Sequence, residues 1–204
     1  MRPRQERIRP ERRVVLALGS NLGDRLAHLE EAVRALATTP GLRLHSVSKV
    51  VETPAWKLDG VDPDAPGYLN AVATGSTTLD PEDLLAATSA IERAGGRIRG
   101  EGEERWGDRT LDIDLIAVGA VVRDDAHLTL PHPRAAERAF VLEPWLDVEP
   151  DAVLPGHGPV ALLRARATDP VSPWPEAIAW RGARPPGAPT STAPGTSDTE
   201  SSTP

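Results

Sequence analysis

Two stretches with helical spacing, each bracketed by short apolar runs of strand character, leave this chain few ways to fold. Val14-Val15-Leu16-Ala17-Leu18 is a compact apolar run closed by Gly19-Ser20-Asn21, which predicts a buried strand and a turn. Leu26, Leu29, Val33 and Leu36 then recur at the spacing of one helix face. Asp24 is placed to cap that helix and Pro40-Gly41 to stop it. Leu42 to Val51 alternates as a strand, and Tyr68 to about Thr78 predicts another. Asp80 and Pro81 suit the N-cap and first position of a second helix, which carries Leu84, Leu85 and Ile91 and ends at Gly95-Gly96. Leu111 to Val118 makes a fourth strand. The order β-α-β-β-α-β predicts an α+β fold, a ferredoxin-like βαββαβ sandwich with C-terminal additions. Two connections, Glu52 to Gly67 and Gly95 to Arg109, are longer than a compact domain holds without a functional reason, so a site is expected there.

A chain of 204 residues has room for one domain with a real core. Its 23 basic and 30 acidic residues give a net charge of −7, which argues against wrapping nucleic acid, since polyanion binding needs a basic footprint. With no cysteine there is no disulfide, thiolate nucleophile or Cys-ligated metal. No run approaches the ~20 apolar residues of a membrane span. Residues 1–12 form an arginine-rich arm without the apolar region of a signal peptide, and the expected location is cytoplasmic. Residues 13–167 are expected to form the ordered body and 168–183 an extension docked through Trp174 and Trp180. Residues 184–204, made of Pro, Ser, Thr, Gly and Ala with almost no large apolar side chain, are expected to be disordered.

The chemistry concentrates around Asp112 and Asp114. Residues two apart on a strand face the same way, so Leu111, Ile113 and Leu115 take the core side while both carboxylates share the other. Like charges so placed repel, and a divalent cation relieves the repulsion; Mg²⁺ in phosphoryl-transfer sites takes one or two carboxylates plus phosphate oxygens. On spacing alone a solvated sheet face is the better explanation of the pair. Just upstream, Arg97, Arg99, Arg105 and Arg109 sit on a glycine-punctuated loop, and arginine forks suit phosphate oxygens. The same arginines could instead pair with Glu101, Glu103, Glu104 and Asp108. No P-loop or protein-kinase signature is present.

Five blocks resolve the ambiguity. Leu18-Gly19-Ser20-Asn21-Leu22-Gly23-Asp24, Glu52-Thr53-Pro54, Tyr68-Leu69-Asn70-Ala71, Arg105-Trp106-Gly107-x-Arg109-Thr110-Leu111-Asp112-Ile113-Asp114, and Leu130-Pro131-His132-Pro133 followed by Arg138-Ala139-Phe140-Val141-Leu142 stand in order. Together they resemble the 6-hydroxymethyl-7,8-dihydropterin pyrophosphokinases over about Val14 to Pro155. The resemblance implies transfer of diphosphate from ATP to the pterin hydroxymethyl group, giving AMP and the pterin diphosphate, in folate biosynthesis. It implies two Mg²⁺ ions on Asp112 and Asp114, with Arg97, Arg109 and Asp112 as catalytic residues. ATP binding falls to Glu92, Arg97, Arg99, Arg109, Leu115, Thr129, His132 and Arg138. Pterin binding falls to Thr53, Pro54, Trp56, Tyr68, Asn70, Trp106 and Phe140. The expected partners are these two small molecules, with no nucleic acid or membrane, and the expected state is a monomer. What deprotonates the hydroxyl stays open: Asp112 is the nearest candidate, and a metal-held carboxylate is a poor base. Two rivals are a non-catalytic nucleotide-binding relative and an RNA-recognition module. One Phe and one Tyr in the whole chain make a poor stacking platform for RNA.

Overall fold

The computed structural model describes residues 9–57, 60–62, 66–96 and 110–180; of residues 56, 57 and 60–62 only the backbone is described. The elements run β1 (Arg12–Ser20), α1 (Arg25–Ala37), β2 (Leu42–Val47), β3 (Val51–Thr53), β4 (Ala55–Lys57), β5 (Gly60–Asp62), β6 (Tyr68–Thr77) and α2 (Pro81–Ala94). They continue with β7 (Asp112–Val118), β8 (Arg123–Asp124), β9 (Thr129–Leu130), α3 (Ala139–Val148), β10 (Val153–Leu154), β11 (Gly158–Pro159), α4 (Val160–Arg164) and β12 (Ser172–Pro173). The main sheet is antiparallel. β6 pairs β1 on one side and both β2 and β3 on the other, β7 pairs the far side of β1, and β12 pairs β3.

The two-residue period of β1 divides the core. Val14, Leu16 and Leu18 pack with Leu29, Val33 and Leu36 of α1 and Leu84 of α2 on one face. Val15 and Ala17 face the other way, onto Val72, Ile116 and the α3 residues Val141, Leu142 and Trp145. The sheet thus carries helices on both faces, and every strand residue has a defined side. Among the described residues no helix is long and apolar enough to cross a membrane.

Asp24 caps α1 as its position predicts, its Oδ1 accepting the Ala27 N–H at 3.1 Å. The expected strand from Leu42 to Val51 instead divides into β2 and β3. The ladder slips between Leu44 and Ser46, and Ser48 then takes over the pairing. Its hydroxyl accepts the Val72 N–H at 2.9 Å and donates to the Lys49 carbonyl at 2.7 Å. A side chain that replaces a main-chain partner ends the regular ladder. Asp80 precedes α2 but its side chain caps nothing; it is held by Arg9 and Arg12, each at 3.0 Å.

The chain beyond β7 supplies the layer that periodicity left out. Ala139, Val141, Leu142 and Trp145 are buried, so α3 is apolar on most of its circumference and shows little alternation with polar residues. β12 extends the sheet beyond β3, and Trp174 and Trp180 pack against the α1 side of the core. The tail from Arg184 to Pro204 lies outside the described residues.

Candidate active site

Three neighbouring strands lay out the site. On the α3 face, Gly19 of β1 sits between Asn70 of β6 and Asp112 of β7, each its direct cross-strand partner. In the next row Ala17 sits between Val72 and Asp114. Strands lie ~4.8 Å apart, so the amide of Asn70 and the carboxylate of Asp112 flank a floor about 10 Å wide made of glycine and alanine. Large side chains at 17 and 19 would fill it. Above this floor lies a cavity of about 580 Å³, walled by Thr53, Pro54 and Tyr68 at one end and by His132, Arg138 and Phe140 at the other.

Asn70 is buried, and its Nδ2 donates to Thr53 Oγ1 and to the Tyr68 carbonyl, both at 3.2 Å. The amide is therefore oriented, with Oδ1 lying beside Gly19. A Cβ at position 19 would stand 3.3 Å from that oxygen. Gly19→Ala should accordingly shift the Asn70 amide by a few tenths of an ångström. The expected result is a several-fold weaker pterin affinity (about 1 kcal/mol) with the melting temperature almost unchanged, as equilibrium titration and thermal unfolding would show.

At the other end, Asp114 Oδ2 lies 3.4 Å from Arg138 Nη1 and 3.7 Å from His132 Nε2. Burial lowers the Arg138 pKa and Asp114 works against it. Burial also pushes the His132 imidazole below its ordinary value, again opposed by Asp114. His132 Nδ1 accepts the Arg134 N–H at 3.2 Å, which puts the proton of the neutral ring on Nε2, facing Asp114. The Arg138 guanidinium also lies over the Phe140 ring at 5.4 Å. The described residues contain no group of three or more His, Asp or Glu side chains able to hold a metal by themselves.

A model of the 7,8-dihydro-6-hydroxymethylpterin-pyrophosphokinase family matches residues 15–150. The chain belongs to that family. A pyrophosphokinase from Methylorubrum extorquens, named 2-amino-4-hydroxy-6-hydroxymethyldihydropteridine pyrophosphokinase, is 44% identical over 145 residues, covering 71% of this chain and 87% of the relative. Proteins of the same name from Mycobacterium bovis and Synechocystis are 43% and 37% identical, covering 75% and 80% of this chain and 82% and 80% of the relatives. Among solved structures, wild-type Plasmodium falciparum HPPK-DHPS with pterin and p-hydroxybenzoate is similar at a TM-score of 0.59 and 14% identity, covering 79% of this chain. The triple mutant S436F/A437G/A613S with SDX-DHP gives 0.59 and 14%, again over 79%. This chain spans 44% and 45% of those longer proteins, and at such identity the likeness shows the fold alone.

Of the residues that the pyrophosphokinase resemblance singles out, the structure gathers Thr53, Pro54, Tyr68, Asn70, Asp112, Asp114, His132, Arg138 and Phe140 around one cavity. Glu92 lies elsewhere: it is buried on α2, and its Oε1 accepts the Ile113 N–H at 2.9 Å on the outer edge of β7. Leu115 packs in the core on the α1 side, and Thr129 donates to Asp124 Oδ1 at 3.2 Å. Arg97, Arg99, Trp106 and Arg109 fall outside the described residues, as does the side chain of Trp56. The cavity wall adds residues to which sequence reasoning gave no role: Ala17, Gly19, Arg134, Glu137, Asp169 and Pro170. Only Ala17 had a legible signal, since it alternates with Leu16 and Leu18 on the expected strand; Gly19, expected in the closing turn, is instead a paired residue of β1, which runs on to Ser20.

Proposed function

We propose that this chain transfers a diphosphate from ATP to the hydroxymethyl group of 6-hydroxymethyl-7,8-dihydropterin, giving AMP and the pterin diphosphate, a step of folate biosynthesis. The observation that carries the reading is the row Asn70, Gly19, Asp112, in which an oriented amide and an acidic shelf face one cavity across a floor without bulk. A pterin is a flat heterocycle edged with donors and acceptors. Asn70 can supply an acceptor to it while Thr53 and the Tyr68 carbonyl hold the amide in place. Phe140, half-buried in the opposite wall, offers a ring face for stacking.

The hydroxymethyl oxygen would attack the β-phosphorus of ATP. The bond from that phosphorus to the oxygen bridging it to the α-phosphate breaks, the electron pair leaves with AMP, and the hydroxyl proton is released. Asp112 and Asp114 would hold Mg²⁺. Two carboxylates on one strand face, turned to the same cavity, suit an ion that keeps water and phosphate oxygens in its shell. Bound there, the metal would neutralise phosphate charge and lower the pKa of the attacking hydroxyl. Arg138, half-buried against Asp114, is placed to meet phosphate oxygens, and His132 presents an N–H on the same side. Arg97 and Arg109 would stabilise charge on the transferring group, with Arg99 on the nucleotide and Trp106 over the pterin. The strand order β7-β1-β6-β2, antiparallel throughout, also supports reading the core as ferredoxin-like.

The direct test is incubation of the protein with Mg-ATP and the reduced pterin. AMP should form together with the pterin diphosphate. ADP in its place, or no turnover, would refute the reaction.

A further inference from the structure

We infer that Asp169, which lies beyond the residues matched by the family model, is a positioning residue for the pterin wall. The inference rests on the reaction proposed above. α3 begins badly by its own sequence: its N-cap is Arg138, whose side chain has no acceptor and makes no cap. The N–H of Ala139, a fully buried residue, is met instead by Asp169 Oδ2 at 2.8 Å, from 30 residues downstream. Ala139 directly precedes Phe140, so that one bond fixes the backbone from which the ring leaves, whereas the Arg138 side chain is held separately by Asp114 at 3.4 Å. A carboxylate at a helix N-terminus also suits the helix dipole.

Asp169 is itself held from the other side of the cavity. Three residues on, Ser172 and Pro173 pair with Glu52 and Val51 of β3, and Trp174 donates its N–H to the Val50 carbonyl at 3.0 Å. The Trp174 ring lies 5.0 Å beneath the Arg25 guanidinium. Arg25 in turn bonds Glu52 Oε1 at 2.7 Å and the Gly67 carbonyl at 2.5 Å, next to Thr53 and Tyr68. The segment from Asp169 to Trp174 thus ties the α3 wall to the Thr53 wall, and Asp169 and Pro170 themselves line the cavity between them.

The test compares full-length wild type, D169A and D169N, since the Asn carbonyl can still accept from Ala139. Pterin affinity is measured at equilibrium with a non-hydrolysable ATP analogue present, beside steady-state kinetics and thermal unfolding. D169A should weaken pterin binding and raise its KM about fivefold to tenfold, with the KM for ATP within about twofold. D169N should recover most of the loss. A D169A protein that binds pterin as wild type does, or a D169N protein as impaired as D169A, would overturn the positioning role, as would equal losses for ATP and pterin. A wild-type chain that binds pterin yet forms no AMP would refute the reaction alone and leave the binding comparison valid. A wild-type chain that binds no pterin would refute both.

Discussion

Asp114→Ala and Asp112→Ala should each lower kcat by ~10³ or more while leaving a folded protein, because a metal clamp contributes several kcal/mol to phosphoryl transfer and 1.36 kcal/mol is a factor of ten. Both carboxylates leave β7 on the side away from Ile113 and Leu115, which pack in the core, so neither substitution opens a cavity. The two variants should differ in stability. Asp114 faces Arg138 and His132, and removing it leaves a half-buried guanidinium without that partner, so its melting temperature should fall further than that of Asp112→Ala. Asp114→Asn separates charge from shape: it keeps the volume and should still be inactive. Steady-state AMP formation, circular dichroism and Mg²⁺-dependent binding of an ATP analogue decide the matter. Near-wild-type turnover in either alanine variant would remove the metal assignment.

Trp145→Ala should bring the largest loss of stability of any single truncation in the second layer. The ring is 1% exposed and belongs to the cluster of Val15, Val72, Ile116, Leu142 and Leu154 that glues α3 to the sheet. Its Nε1 donates to Glu149 Oε2 at 2.7 Å, and the Arg13 guanidinium lies 6.0 Å from its centroid. Removing it forfeits the transfer free energy and leaves a cavity, at a cost of about 3–5 kcal/mol. For a chain of this size that corresponds to a fall in melting temperature of roughly 6–20 °C. Because α3 also carries Phe140 at its start, pterin affinity should weaken before the protein unfolds. Trp145→Phe, which keeps most of the apolar volume, should recover the greater part. Thermal unfolding followed at several temperatures beside pterin titration measures both effects. A shift of only a degree or two would show that α3 docks without this ring.

The sequence by itself determined the strands and helices that carry a clean period or a compact apolar run. α1 and α2 were legible because their apolar residues repeat at three to four positions, β7 because carboxylates alternate with apolar residues, and β1 as a short apolar run, and local chemistry such as the Asp24 cap agreed with the pattern. It also determined that Asp112 and Asp114 share a face, since alternation on a strand requires it. Motif resemblance added Asn70, His132, Arg138 and Phe140 as site residues, with no account of how they meet. Only the tertiary structure decided that meeting. Asn70 and Asp112 are 42 residues apart in the chain and become neighbours of the same glycine because β6 and β7 both pair with β1. Glu92 reached the outer edge of β7 because α2 packs on the opposite face of the sheet from α3. The layer from α3 to β12 was illegible because a helix buried on most sides has no polar stripe, and two-residue strands have no period at all. Asp169 shows the limit most clearly. Nothing near it in the chain marks it as part of a site; its carboxylate acquires a role because the chain returns to meet a backbone N–H that α3 cannot satisfy from its own sequence.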